Sequence, residues 1–166
     1  AQANDKPALG RFVRRMHSAV SQMDVTGRVT AQLNPLQQLL IMNNPLLEPG
    51  DHLRYPLRPQ HVRVSGALVE DCLLEHVPGM QLEDYLGQCP KDSIADPSYA
   101  YVIQPDGTSD QYGVAYWNQQ SVNVAVGAII YVPVRENMLA PTTSEFNQDM
   151  ARMLATQYRL GGRFGE

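Results

Sequence analysis

One stretch limits the possible fold more than any other: YAYVIQPDGTSDQYGVAYWN, residues 99–118. Tyr99, Tyr101 and Ile103 alternate with Ala100, Val102 and Gln104, which is the period of a strand with two distinct faces. Pro105-Asp106-Gly107 follows, a turn sequence in which glycine tolerates positive φ. A returning strand is predicted through Val114, Tyr116 and Asn118. On such a strand Tyr116 and Asn118 share one side and Trp117 takes the other. Trp117 is then either core under a covering helix or a surface platform.

The flanking sequence supplies more strands around this hairpin. In RPQHVRVSGALVE, Val62 and Val64 face one way and His61, Arg63 and Ser65 the other, so a half-buried strand is expected. Gly66 permits a turn or bulge into a second strand. MQLEDYLGQC reads as a short helix with Leu82, Tyr85, Leu86 and Cys89 on one face. AIIYVPV has the length of a last strand. The order strand, strand, helix, hairpin, strand predicts an α+β chain built on a ubiquitin-like β-grasp, one helix lying across a mixed sheet.

Helical periodicity brackets this unit. From Pro7 to Met23, Leu9, Phe12, Val13, Met16, Val20 and Met23 share a face. Arg11, Arg14 and Arg15 lie mostly opposite and read as a solvated face. Pro7 suits a first helical turn. Gly27 interrupts the pattern, and PLQQLLIMNN is a candidate second helix closed by Asn43-Asn44-Pro45, giving an N-terminal helical hairpin. At the other end a C-terminal amphipathic helix is predicted from Thr142 to Leu160, with Thr142 and Glu145 at capping-box spacing. Its stripe of Phe146, Met150, Met153 and Leu154 has two destinations. It packs on the N-terminal helices through Phe12, Val13 and Met16, or it faces a partner or a membrane surface. Only Arg152 and Arg159 are basic on its polar side, which weakens the membrane version.

A strand pattern is written twice. In LLEPGDHLRYPL and NVAVGAIIYVPV, Gly50 aligns with Gly127, Leu53 with Ile130, Tyr55 with Val132, Pro56 with Pro133 and Leu57 with Val134. If the second copy closes one β-grasp unit, the first closes another. Only helical sequence precedes that first copy, so the chain is expected to be an N-terminally shortened piece. The expected divisions are 1–45, a helical hairpin inserted in the upstream domain; 46–58, that domain's last strand; 59–135, the β-grasp domain; and 136–166, the C-terminal helix and tail.

Most chemistries lack their residues. A net charge of −4 with no Lys/Arg-rich run gives no footprint for nucleic acid. No apolar stretch approaches the ~20 residues that cross a bilayer. His17, His52, His61 and His76 show no metal-ligand spacing, and there is no C-x-x-C, G-x-S-x-G or P-loop. Glu70-Asp71 and Glu83-Asp84 are adjacent acids, the mark of a solvated turn or helix face, whereas a glycosidase needs two carboxylates across a cleft. No catalytic residue, metal or cofactor is expected. Two binding candidates stand out. Tyr116, Trp117 and Asn118 combine aromatic faces for a sugar ring with an amide for its hydroxyls. Arg28 offers a planar fork of donors, suited to an acidic sugar, a lipid-linked phosphate or a partner protein, or else to backbone carbonyls that fix the hairpin.

The motifs VTGRV, L.PGD.L.YPLRP..V.VSGAL (residues 47–68), LEDYL, YVIQPDG, AYWN and GAIIYVP stand here in one order. In this they resemble the GfcC-like capsule and exopolysaccharide biosynthesis family over roughly residues 20–135. The resemblance implies a periplasmic protein of Gram-negative bacteria, encoded beside polysaccharide export machinery. It also implies tandem β-grasp domains, a helical hairpin inserted in the first, and an amphipathic C-terminal helix. The matching Gly-Arg pair singles out Arg28. The expected function is a non-enzymatic accessory protein of capsule or exopolysaccharide assembly and export, with the polysaccharide or an export protein as partner. The rivals are a structural module of the export channel and a glycan-acting enzyme. In a periplasmic protein Cys72 and Cys89 are open to disulfide formation, with two buried free thiols as the alternative.

Overall fold

Five strands form one mixed sheet in the computed structural model, which describes residues 2–23, 36, 39, 46–51, 57 and 59–157. They are β1 (His61–Gly66), β2 (Cys72–Glu75), β3 (Tyr99–Ile103), β4 (Ser109–Gly113) and β5 (Ile129–Val132). Their order is β2-β1-β5-β3-β4. β1 and β5 run parallel, with Arg63 beside Ile129 and Gly66 beside Val132, and the other pairs are antiparallel. Among the described residues the helices with both ends defined are α1 (Gln2–Ser21), α2 (Leu82–Gly87) and α3 (Phe146–Ala155), with short 3-10 turns at Glu136–Met138 and Pro141–Thr143.

Local chemistry closes the β3–β4 hairpin. Asp106 Oδ1 accepts from the Thr108 N–H (2.9 Å) and hydroxyl (2.8 Å), while the Thr108 carbonyl accepts from the Gln104 N–H (2.8 Å). Gly107 sits at φ +93°, where a Cβ would be strained. Gly66 ends β1 at φ +111°, and a Cβ there would collide with the Val132 carbonyl oxygen. Only glycine lets β1 lie this close to β5 and still turn away.

Both faces of the sheet are covered. Val64 pairs with Cys72, so Cys72 shares the Val62/Val64 face, and it is joined to Cys89 just after α2. This puts α2 on that face, where Leu82, Tyr85 and Leu86 enter the core with Ala100, Val102 and Ile130. The opposite face carries Tyr101 and Tyr131. There the buried Asn147 of α3 accepts from the Tyr131 hydroxyl (3.3 Å) and the Val134 N–H (3.0 Å), and donates to the Val134 carbonyl (2.7 Å). The asparagine takes the place of a neighbouring strand for Val134. The result is α2, sheet and α3 in three layers. β1 is therefore not the half-buried strand its alternation suggests. It lies inside the sheet, and its second face is shut off too, with Arg63 only 5% exposed and Ser65 fully buried.

α1 differs from the sequence reading in three ways. It begins at Gln2, so Pro7 lies inside it, where the missing N–H forfeits one helical bond. Its buried face is narrower, made of Ala8, Phe12 and Met16, and Val13 is left exposed. Arg15 is half-buried and not simply solvated. Its guanidinium donates to the carbonyls of Gly66 (2.6 Å), Leu68 (3.0 Å) and Val69 (3.2 Å), groups in the β1–β2 link that need donors.

α3 begins at Phe146, four residues after the expected Thr142. The capping box does not form: Glu145 is the N-cap residue without a side-chain bond, and the Thr143 hydroxyl instead turns back to the Ala140 carbonyl (3.1 Å). The apolar stripe is turned inward. Met150 and Leu154 are buried, Met153 is half-buried, and Phe146 meets Phe12 edge to face at 6.1 Å. The face is thus occupied largely within the chain, against Phe12 of α1. The expected second helix of the hairpin and the 52–56 part of the first repeat copy lie outside the described residues, as does Arg28. Residues 46–51 form a turn in which the Asp51 carboxylate accepts from the Glu48 N–H (2.8 Å).

Candidate functional site

The end of β4 decides what the surface presents. The strand stops at Gly113, and the chain returns at Gln120 to cover its edge. Gln120 Oε1 accepts from the Gly113 N–H (3.0 Å), and the Gln120 N–H donates to the Gly113 carbonyl (3.1 Å). Between them lies a turn held by Asn118. Its Oδ1 accepts from the Ala115 N–H (3.0 Å), its Nδ2 donates to the Ser98 carbonyl (3.0 Å), and its own N–H donates to the Ala115 carbonyl (3.0 Å). Gly113 is obligatory, because a Cβ there would strike the Asn118 carbonyl.

The strand predicted through Asn118 is thus replaced by a turn, and the side chains take other roles. Asn118 is an anchor whose amide is already used. Tyr116 is 100% exposed and Trp117 71% exposed, so Trp117 is surface and not core. The indole meets Tyr99 edge to face, with centroids 6.4 Å apart and an interplanar angle of 87°. Tyr99 had no place in the sequence-derived set. Its signal was present in the alternation, which left Tyr99 and Tyr101 on one face of β3, but nothing in sequence tied that face to Trp117.

Beyond Tyr99, the same sheet face leads into a polar cleft of about 420 Å³ between the β3–β4 hairpin and the start of α3. Tyr101 and Gln111, paired across the two strands, line it with Asp110, Glu136, Glu145 and Arg152. The Tyr101 phenol is pushed up by burial and further by Glu136 and Asp96, against the opposing pull of Arg152.

Other titratable groups have structural partners. Asp71 is half-buried near Arg15 and Arg63, while Glu70 beside it is exposed, so the pair is not one solvated turn. Burial raises the Asp71 carboxyl, and Arg15, Arg63 and the Gly66 N–H offset only part of this. Asp84 accepts from the Gln81 N–H at the start of α2 (3.3 Å). His76 Nε2 lies 3.0 Å from the Val124 carbonyl. Among the described residues no three His, Cys, Asp or Glu side chains gather as a metal site, and no helix is long and apolar enough to cross a membrane. Cys72 and Cys89 form a disulfide with Cα atoms 6.1 Å apart.

Two comparisons bear on the whole. The chain is 29% identical over 143 residues to the uncharacterized protein YjbG of Escherichia coli (strain K12), covering 86% of this chain and 58% of YjbG. The chain thus spans less than two thirds of that relative's length. The family model described as capsule biosynthesis GfcC C-terminal matches residues 72–158, just over half of the chain and the segment that holds β2 to β5, the aromatic turn and α3. With that match the chain belongs to the GfcC family of capsule biosynthesis.

Proposed function

We propose that this chain is a non-enzymatic accessory module for capsule or exopolysaccharide assembly and export, acting in the periplasm and contacting glycan through Tyr99, Tyr116 and Trp117. The observation that carries the reading is the exposure of Tyr116 and Trp117 on a turn whose backbone Asn118 and Gln120 hold rigid. Aromatic faces offered to water at a fixed angle suit the C–H face of a sugar ring, and their immobility lowers the entropy lost on binding. The sheet order β2-β1-β5-β3-β4, with its parallel central pair and α2 on one face, supports a ubiquitin-like β-grasp for residues 59–135. The disulfide agrees with an oxidising compartment. Arg28 enters the proposal on its guanidinium chemistry alone, as a contact for an acidic sugar, a lipid-linked phosphate or an export protein.

The test is NMR titration with neutral tetrasaccharides, following the indole N–H of Trp117. Binding should shift that resonance, and Trp117→Ala and Tyr116→Ala should each weaken affinity about tenfold, some 1.4 kcal/mol, with melting temperature unchanged. Wild-type affinity in the double variant would overturn the reading.

A further inference from the structure

The geometry points to a second sugar subsite in the polar cleft beside Tyr101, selecting neutral or amino-bearing sugar units over uronic acids. This rests on the reading of Tyr116 and Trp117 as a glycan surface and extends it along the same face of the sheet.

Continuity comes first. Tyr99 and Tyr101 are two residues apart on β3, so both point to one face, about 7 Å from each other. Across β4, Gly113 lies opposite Tyr99 and Gln111 opposite Tyr101. Gly113 puts no side chain opposite Tyr99, and the Asn118 turn packs over it instead, so the surfaces run Trp117, Tyr99, Tyr101 without a bulky side chain from β4 between the tyrosines. A glycan ring stacked on Trp117 therefore has its neighbour directed towards the cleft. The step between the two tyrosines is comparable with one unit of a sugar chain.

The cleft then has what a ring needs. Tyr101 is an aromatic wall, and Gln111 supplies an amide with both donor and acceptor. The carboxylates of Asp110, Glu136 and Glu145 make no hydrogen bond or ion pair among the described residues, so their oxygens are free to accept from hydroxyl or ammonium groups. Asp96 is already engaged, with Oδ1 accepting from the Ser98 (2.7 Å) and Tyr99 (3.1 Å) N–H groups. Against these acids stands, among the described residues, one cation on the wall, Arg152, which lies 3.7 Å from Asp149. The local field is negative. It attracts the ammonium of a glucosamine unit, tolerates a neutral hexose and repels a uronate.

Isothermal titration with three tetrasaccharides separates the possibilities: cellotetraose, fully deacetylated chitotetraose and tetragalacturonate. The expected order of affinity is chitotetraose, cellotetraose, tetragalacturonate, with the gap between the first and last narrowing as salt rises. Glu136→Gln with Glu145→Gln should reduce the preference of chitotetraose over cellotetraose at least tenfold while cellotetraose still binds. Trp117→Ala should weaken both equally. Circular dichroism checks that each variant is folded. Binding of all three tetrasaccharides alike, or a preference unchanged in the double glutamine variant, overturns the cleft subsite and leaves the aromatic surface standing. Loss of selectivity in Trp117→Ala alone overturns it as well. No binding of any tetrasaccharide by the wild type overturns both.

Discussion

Asp71 is the residue whose charge state is set most directly against the fold. It sits between two arginines, yet burial dominates and raises its carboxyl above the ordinary value. A raised folded-state pKa means that the native state binds the proton more tightly than the unfolded chain. The associated stability is full below the unfolded pKa of about 3.9 and is lost as pH rises through the folded value. The difference in melting temperature between wild type and Asp71→Asn should therefore move against the wild type as pH climbs from that point. A difference that stays constant across the acidic range would show that burial does not govern this group. Asn118 is the second decisive residue. Asn118→Ala removes both side-chain bonds at the end of β4 and should cost about 1–3 kcal/mol, seen as a lowered denaturation midpoint. It should also loosen Trp117, although residue 118 has no ligand contact of its own. The residue types at this turn were legible as binding chemistry, but the division of labour among them was not. Alternation along a strand cannot reveal that Gln120 comes back to Gly113 and ends the strand early.

At the level of elements, α3 shows where periodicity informs and where it fails. The spacing of Phe146, Met150, Met153 and Leu154 identified the buried stripe, because the same rotation per residue governs any helix. The helix start was misread because a capping-box spacing says nothing about whether Pro141 and its neighbours form a 3-10 turn first. Leu154 is fully buried, so Leu154→Ala should destabilise by about 2–5 kcal/mol, measured by chemical denaturation. Phe12→Ala should couple to it through Phe146, and a double-mutant cycle of Phe12 with Phe146 should give a non-zero interaction energy. β2 and α2 are held by the disulfide across 17 positions. In the chain-entropy account, closing such a loop contributes about 3 kcal/mol, so Cys72→Ser with Cys89→Ser should lower the denaturation midpoint accordingly. An unchanged midpoint would place the crosslink outside the folding equilibrium.

For the whole molecule, the order of strands and helices was readable because each element carries its own punctuation: Gly66, Pro105-Asp106-Gly107 and the apolar run before Val134. What covers the second face of the sheet was not readable. Arg63 and Ser65 look like outward positions on a strand, yet both are buried. That closure is non-local. β1 pairs in parallel with β5, whose residues lie 66 positions further on, and Phe12 meets Phe146 from 134 positions away. Parallel pairing forms only after a long loop has closed, and such topologies cross their folding barriers slowly. A chain synthesised from its N-terminus must hold β1 unpaired on one side until Ile129–Val132 has followed. During that interval Val62 and Val64 are an apolar strand without its neighbour, open to any chain nearby. The parallel pair at the centre of the sheet thus makes folding of this chain a race between β5 and a stranger's strand.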